Sequence, residues 1–264
     1  MTTLPPDPVE RDRPVQFLNA EGQGPGLIIC DHASNRIPES HSSLGLDEES
    51  LLDHIAWDVG AAELSEALST RLDMPAILSG YSRLFIDCNR TPDHPELVRA
   101  ESDGRQIPGN QELTAQDIAA RRKRAYEPYH EAIERWLDER LASGSIPVVL
   151  SVHSMTRQLK GQPVRPWQVC ILWNQDGRLA QPLLAALRVQ ARFVIGDNEP
   201  YSARVLAGAT RSWHAESRGL PHVILEIRND LLANAAGIES VASALHAALE
   251  PVLAEPELYT IQHF

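Results

Sequence analysis

Short apolar runs alternate with longer amphipathic stretches along the chain from about Gly26 onwards. The runs are nearly continuous in Val, Ile and Leu, which is typical of strands in a sheet covered on both faces. They predict strands at 26–31, 75–79, 83–87, 147–153, 167–173, 192–196 and 222–228. Strands that alternate with helices predict an α/β fold of three layers, in which helices cover both faces of a central sheet that is mostly parallel or mixed.

The amphipathic stretches predict the helices. A first helix is expected to span about 47–73, and a second runs from 114 to its stop at 144. Thr114 and Asp117 have the spacing of a capping box, and Pro128 is expected to kink the second helix. Further helices are predicted at about 177–190 and 229–250, with a shorter one near 201–217.

Two segments depart from this alternation. Residues 1–14 are rich in proline and charge and have no apolar period, so we expect a mobile arm there and a single domain over 15–264. Residues 91–112 form a predicted loop with several prolines and glycines. Loops of that length inside compact domains are usually functional or disordered.

Charge and composition narrow the class of protein. The chain has 24 Lys and Arg against 36 Asp and Glu, a net charge of −12, and no basic block that would favour nucleic acid as a partner. No apolar run approaches the roughly 20 residues of a membrane span, and the first residues lack the pattern of a signal peptide. We therefore expect a cytoplasmic protein, with three scattered cysteines that are buried thiols.

The polar residues most suited to chemistry follow or end predicted strands. They are Asp31, His32, Asp87, Asn89, Arg90, His153, Glu226 and Arg228. In open α/β sheets ligands bind outside the carboxyl ends of the strands, so these side chains are expected to meet in one cleft.

These residues are of the types that a metallohydrolase uses: two histidines, several carboxylates and an Asn–Arg pair. Catalytic Zn²⁺ takes about three nitrogen or oxygen ligands and keeps one position for water, beside which a carboxylate can act as general base. The guanidinium of Arg90 has the planar fork that fits a substrate carboxylate. His54 and Asp58 would share one face of the predicted helix and could project into the cleft, although both are also typical of a first helical turn.

Several segments, in order, resemble the N-formylglutamate amidohydrolase family. They are CDHASNRIP (30–38), LGL (44–46), HIAWDVGA (54–61), YSRLFIDCNR (81–90), SDGRQIPGN (102–110), YEPYH (126–130), SVHSM (151–155), DNEPYS (197–202) and LEIRNDLL (225–232). The resemblance implies a zinc-dependent hydrolase with a carboxypeptidase-like α/β/α fold. It also implies cleavage of a linear amide, such as that of N-formyl-L-glutamate, to give formate and glutamate. Because fold and metal do not fix the substrate, a hydrolase of a different N-acyl amino acid or of a peptide-like amide is an alternative, and so is another divalent metal in place of zinc.

The resemblance also implies roles for individual residues. His32 and His153 match the metal-binding histidines, but Asn35 stands where the carboxypeptidase HxxE pattern has an acid. We favour Asp58 as the third ligand, with Asp31 or His54 as alternatives.

The remaining roles concern the proton, the oxyanion and the substrate. Glu226 resembles the general base, and Asn89 with Arg90 resembles the pair that holds a substrate carboxylate. The candidates for stabilising the oxyanion or contacting the substrate are Arg83, Arg228 and His130, and Arg228 could instead orient Glu226. Asn198 and Tyr201 could reach the substrate from a loop. The expected partner is a small molecule that carries a carboxylate, and a homo-oligomer is compatible with the sequence.

Two other functions compete with this interpretation. A non-catalytic binding module on the same fold would explain the acid missing at Asn35, although His32, His153 and Glu226 argue against it. A cysteine hydrolase using Cys30 or Cys88 is also geometrically possible, since residues two apart on a strand point to the same face. A metal-binding cleft would distinguish the metallohydrolase from both.

Overall fold

A mixed sheet of seven strands forms the centre of the computed structural model, which describes residues 13–205 and 208–264. Its strands are β1 (Val15–Leu18), β2 (Gly26–Cys30), β3 (Ala76–Ser79), β6 (Val148–Met155), β7 (Val169–Leu172), β8 (Ile195–Asp197) and β9 (His222–Arg228). A separate hairpin contains β4 (Glu101–Ser102) and β5 (Arg105–Gln106). The order in the main sheet is β1-β3-β2-β6-β9-β7-β8. Strands β3, β2, β6 and β9 are parallel, whereas β1 and the β7–β8 pair run in the opposite direction.

Six α-helices accompany the sheet in the described residues. They are α1 (Glu48–Leu52), α2 (Ala61–Leu72), α3 (Ala115–Arg121), α4 (Glu127–Ala142), α5 (Ala180–Gln190) and α6 (Ala235–Leu253). Two π-helical turns lie at Arg122–Tyr126 and Arg211–Ala215, and short 3₁₀ segments lie at Glu39–Gly45, Pro108–Asn110, Glu216–Arg218, Asn229–Leu232 and Pro256–Leu258. No helix in the described ranges is long and apolar enough to cross a membrane.

The alternation of side chains along each strand builds two cores. Ile28 and Leu150 face the layer of α2, α5 and α6, whereas Leu27 and Val149 belong to the core that includes α4. All four are almost fully buried, and each such side chain contributes roughly 1.5–3 kcal/mol of hydrophobic free energy. The predicted three-layer α/β fold with a mixed sheet is therefore confirmed.

The second predicted helix has the expected ends. Thr114 Oγ1 accepts from the amide of Asp117, whose carboxylate accepts from the Thr114 amide, so the capping box is formed. The helical path continues through the π turn at Arg122–Tyr126, and Pro128 lies in the first turn of α4. A proline there needs no amide donor from its own nitrogen, which is why α3 and α4 can follow each other directly.

Two predicted elements are wrong. Residues 83–87 are buried but form turns, because the Phe85 and Ile86 amides donate to Ser82 O instead of a neighbouring strand. The helix expected over 47–73 is broken between α1 and α2, where Gly60 has φ +80° and a Cβ would meet Leu232 at 2.4 Å. An L residue is unfavourable in that left-handed conformation, so the chain must turn there.

The start of the fold also differs in part from expectation. Strand β1 was not predicted; it pairs antiparallel with β3 at the sheet edge. Just before it, Pro14 O accepts from the Gly80 amide and Arg13 O accepts from Arg36 Nη2. Most of the arm expected over 1–14 lies outside the described residues.

Candidate functional site

A cavity of about 440 Å³ lies at the carboxyl ends of the parallel strands. His32 enters it from the residues after β2, His153 from β6 and Glu226 from β9. Arg83 and Asp87 enter from the irregular segment that follows β3. The predicted convergence of these polar residues on one cleft is what the parallel arrangement of β3, β2, β6 and β9 produces.

Three buried side chains at the floor of the cavity could hold a metal ion. Ligand atoms of His32, Asp58 and His153 all lie within 4.8 Å of one another. Asp58 Oδ2 is 3.3 Å from His32 Nδ1 and 2.7 Å from His153 Nδ1. Two imidazole nitrogens and one carboxylate oxygen this close together form a donor set that suits a divalent transition metal.

The backbone fixes the position of Asp58. Its amide donates to His32 O, and the Ala61 amide donates to Asp58 O at the start of α2. Asp58 therefore comes to the cluster from a turn, whereas the sequence placed it on a helical face with His54. His54 instead lies at the rim, with Nδ1 2.7 Å from Asp53 Oδ1 and Nε2 3.4 Å from Asp103 Oδ2.

Each histidine is held from behind by a second carboxylate. His32 Nε2 is 2.8 Å from Asp87 Oδ1, and His153 Nε2 is 3.1 Å from Asp31 Oδ2. A carboxylate on the outer ring nitrogen fixes the tautomer and leaves Nδ1 free to bind a metal. Asp31, an alternative third ligand in the sequence interpretation, thus supports a ligand from the second layer and is not part of the cluster.

Asp31 is itself held by two hydroxyl groups. Its Oδ1 accepts from Tyr129 at 3.0 Å and from Thr210 at 2.7 Å. The Thr210 hydroxyl also lies 3.3 Å from Cys88 O. Since Asp31, Tyr129 and Thr210 are almost completely buried, this network is shielded from water and can fix the ring of His153.

The charges in the cluster support one another. Although burial opposes ionisation, the contacts with His32 and His153 keep the pKa of Asp58 below its ordinary value. Burial likewise opposes the charge on His153, but its hydrogen bonds to Asp31 and Asp58 raise its pKa well above the ordinary value. Arg83 donates from Nη1 to Asp58 Oδ1 at 3.2 Å and from Nη2 to Asp87 Oδ2 at 3.1 Å.

Glu226 lies beside the cluster without belonging to it. It is the register partner of His153 on the neighbouring strand, so both side chains point to the same face of the sheet. Burial raises the pKa of Glu226 to about 7. A carboxyl group with a pKa near neutrality can both accept and release a proton under working conditions, as a general base and acid must.

A group of cations lies on the wall formed by the residues after β3. Arg90 Nε is 3.8 Å from Asp87 Oδ2, and its Nη2 is 3.6 Å from Glu96 Oε2. Arg99, which the sequence analysis did not single out, is 3.1 Å from the same Glu96 and also lines the cavity. Asn89 lines the cavity too, and its Oδ1 accepts from the Thr210 amide at 3.4 Å.

The structure places two other predicted residues outside the cavity. Arg228 binds Asp230 through Nε at 2.7 Å and donates from Nη1 to Arg165 O at 3.1 Å, and it does not line the cavity. His130 is buried behind the site, where its Nε2 is 2.9 Å from Cys88 O and its Nδ1 is 2.8 Å from His214 Nε2. Both residues therefore contact groups that surround the cavity, and neither lines it.

Three more residues named from the sequence, Asn198, Cys30 and Cys88, also lie outside the cavity lining. The Oδ1 of Asn198 accepts from the amides of Trp173 and Ala203. Cys30 and Cys88 are buried outside the cavity, and burial raises the pKa of both thiols well above the ordinary value. A buried thiol of this kind does not form the thiolate that a cysteine hydrolase requires.

The sequence pattern did not indicate Arg165 as a cavity residue. Arg165 precedes β7, whereas the candidate residues were those that follow or end predicted strands. Since β7 is antiparallel to β9, its first residues lie at the same edge as the end of β9. The sequence does show an arginine between Pro163 and Pro166 just before a predicted strand. Whether such a residue lies at the cavity edge of the sheet depends on the direction of that strand, which the sequence pattern does not specify.

Known proteins share this sequence and architecture. The sequence profile of the N-formylglutamate amidohydrolase family matches residues 24–233, which include the whole cluster and Glu226. A solved gene product of Agrobacterium tumefaciens is 34% identical, with a TM-score of 0.90 over 94% of this chain and 98% of that chain. The N-formylglutamate amidohydrolase of Ralstonia eutropha is 18% identical and shares the fold, with a TM-score of 0.66 over 90% of this chain and 97% of that chain. No curated protein matched the chain significantly.

Proposed function

We propose that this chain, which belongs to the N-formylglutamate amidohydrolase family, is a zinc-dependent hydrolase that converts N-formyl-L-glutamate and water into formate and L-glutamate. The observation that carries the proposal is the buried cluster of His32, Asp58 and His153 with Glu226 beside it. A binding module would not need a carboxyl group whose pKa is raised to about 7 next to such a cluster.

The donor set fits Zn²⁺. Two imidazoles and one carboxylate are a common ligand set of catalytic zinc, and they leave a coordination position for the reactants. The second carboxylates on His32 and His153 complete the pattern seen around such metals. The acid that Asn35 does not supply comes from Asp58, and Asn35 itself donates to Leu51 O. When bound, the metal would supply Lewis-acid activation of the amide carbonyl and of the attacking water.

Glu226 and Arg83 carry the steps that belong to the chain itself. Glu226 would accept the proton of the attacking water and pass it to the amine nitrogen as the amide bond breaks. Arg83 lines the cavity with both Nη atoms committed to Asp58 and Asp87, so its main role is to hold the ligand Asp58 and the supporting Asp87 in place. Its charge also adds to the field that stabilises a developing oxyanion.

Asn89 and Arg90 would bind the α-carboxylate of the substrate. Both line the cavity, and the acid partners of Arg90 lie at 3.6 and 3.8 Å, beyond the distance of a good hydrogen bond. A substrate carboxylate could therefore take the stronger, bidentate contact with the guanidinium. The proposed partner is thus a small molecule with a carboxylate next to the amide nitrogen.

We also propose that the reaction takes place in the cytoplasm. The three cysteines are free and buried in the structure. Reduced thiols are the usual state in that compartment, which is consistent with this location.

The test combines metal content with formate release. We expect about one zinc per chain and formate release that a chelator abolishes and added zinc restores. Glu226→Gln should retain zinc but lose formate release, whereas Glu63→Gln, on an exposed part of α2, should retain both. Zinc without formate release would reject the substrate, and a protein without zinc affinity would reject the metallohydrolase.

Arg90→Ala tests the carboxylate contact separately. It should raise KM for N-formyl-L-glutamate far more than it changes zinc affinity, because Arg90 does not touch His32, Asp58 or His153. An equal loss of both would contradict the assignment of Arg90 to the substrate.

A further inference from the structure

The side chain of Arg165 is a buried cation that faces the cavity. Arg165 is 9% exposed and lines the cavity, as Arg90 does. Its Nη1 donates to Thr156 O at 3.0 Å, its Nη2 donates to the Tyr201 hydroxyl, and its Cζ lies 4.8 Å from the centroid of the Tyr201 ring. In the described part of the chain Arg165 forms no ion pair with an acidic side chain. A buried charge without a counter-charge is costly.

The other arginines of the cavity differ in this respect. Arg83 is paired with two aspartates, and Arg90 and Arg99 share Glu96. Within residues 13–205 and 208–264, Arg165 is the cavity arginine that has no acidic partner. An anionic ligand would supply the charge that the surrounding residues do not provide.

The guanidinium is held in place and still has donors for such a ligand. The bonds to Thr156 O and Tyr201 use two of its five N–H donors, which leaves three for a carboxylate. Its backbone is fixed as well, since Arg228 Nη1 donates to Arg165 O and the Arg165 amide donates to Arg157 O. A fixed arginine of this kind loses less conformational entropy on binding than a free one.

The wall between Glu226 and Arg165 is apolar. Met155, Leu172, Ala203 and Ile224 line the cavity there and form one apolar cluster with Tyr201. Such a surface suits the methylene groups of a side chain that ends at Arg165.

The sheet order separates the two carboxylate sites. Arg90 approaches Asp87, which binds His32 after β2, whereas Arg165 lies beside the end of β9 and the start of β7. Strand β6, with His153, lies between β2 and β9. A substrate whose amide lies at His153 and whose α-carboxylate lies at Arg90 would therefore direct its side chain towards Arg165.

We infer that Arg165, oriented by Tyr201, is the residue that determines specificity, and that it binds a carboxylate at the end of the substrate's amino-acid side chain. This inference rests on the proposed function, because it assigns the second anionic group of the same substrate. Arg228, which the sequence suggested as catalytic, becomes a positioning residue for Arg165.

The test compares an acidic substrate with its neutral isostere. For the zinc-loaded protein, kcat/KM is measured with N-formyl-L-glutamate and N-formyl-L-glutamine, and binding of L-glutamate and L-glutamine is measured by calorimetry. Arg165→Met should lower kcat/KM for N-formyl-L-glutamate by about 10- to 150-fold, the contribution of a charge-assisted hydrogen bond. For N-formyl-L-glutamine the change should be less than about threefold, since no charge is lost there.

Further variants separate specificity from structure. Arg165→Lys keeps the charge without the fork and should recover part of the preference for glutamate. Arg157→Met, at an exposed arginine in the same segment, should leave the preference unchanged. Equal losses with both substrates, or an unchanged preference in Arg165→Met, would overturn the inference.

The binding arm distinguishes this inference from the proposed function. If the wild-type protein releases formate from neither amide but binds L-glutamate in preference to L-glutamine through Arg165, the proposed reaction fails and the carboxylate site stands. If formate is released equally from both amides, the reaction stands and the inference fails.

Discussion

Binding of Zn²⁺ to the metal-free protein is expected to release protons from the cluster. Asp58 Oδ2 lies 3.3 Å from His32 Nδ1 and 2.7 Å from His153 Nδ1. Although burial and Arg83 oppose a charge on His32, Asp87 and Asp58 raise its pKa, and Asp31 and Asp58 raise the pKa of His153. A metal ligand must present a free nitrogen, so each Nδ1 has to give up its proton when zinc binds.

The number of protons follows from the direction of these shifts. Because the pKa of each histidine is raised from the ordinary value of about 6.5, both carry most of a proton at pH 6, which gives about two protons on binding. Glu226, with a pKa of about 7, is also mostly protonated at that pH. The field of a nearby dication lowers its pKa, so the total should approach about three protons.

Calorimetry in several buffers measures this number. The binding enthalpy at pH 6 is plotted against the ionisation enthalpy of the buffer, and the slope gives the protons released. The slope should be nearly three for the wild type, about two for Glu226→Gln, and unchanged for His246→Gln on α6, outside the site. A slope near zero, or equal slopes for the wild type and Glu226→Gln, would refute the charge assignments.

Three further predictions follow from the same contacts. Asp87→Asn should weaken zinc binding roughly 10- to 100-fold in a competition assay, because His32 loses its supporting charge. The control Asp93→Asn should leave zinc affinity unchanged, and an unchanged affinity in Asp87→Asn would contradict the supporting role. The kcat/KM of the zinc enzyme should rise with pH as Glu226 ionises, with a midpoint below pH 7 because the metal lowers its pKa; a pH profile retained by Glu226→Gln would exclude it as the base. The Tm of protein stripped of metal should fall as pH rises through the raised pKa values of His32 and His153, because the folded state then loses its extra protons. The Tm of zinc-loaded protein should not fall over this pH range, and parallel Tm profiles of the two samples would argue against this linkage.

The central residues of the candidate site could be predicted from the sequence because they lie at or near the carboxyl ends of strands. His32, His153 and Glu226 each come from a continuous apolar run, and runs of that kind specify both a buried strand and the point where it ends. Three parallel strands then bring these ends together without any long-range information beyond the rule for α/β sheets.

The parts that were missed depend on contacts between distant residues. The segment 83–87 is as apolar as a strand, but no sheet edge is available to it, and its backbone bonds are satisfied by turns. The break at Gly60 depends on its close approach to Leu232, more than 150 residues away in the chain. Amphipathic periodicity contains neither fact, so it predicts one helix where the structure has two.

Strand direction was the other missing information. The rule that ligands lie at carboxyl ends led to residues after strands, and β7 reverses that relation. The end of β9 is joined to the start of β7 through the bonds of Arg228 to Gln168 O and Arg165 O, and Arg228 does not line the cavity. The antiparallel pairing of β7 with β9 thus brings Arg165, and not Arg228, into the lining of the cavity.

The charge balance of the cluster explains how the fold can bury so many ionised groups. Asp31, Asp58 and Asp87 are all buried, and their pKa values are all lowered in spite of burial. The protons on His32 and His153 add two positive charges beside these carboxylates. A zinc ion that replaced the two protons would add the same charge, so the net charge of the buried cluster would be almost unchanged. The carboxylates of Asp31 and Asp87 would therefore hold both imidazole rings in the same way before and after metal binding.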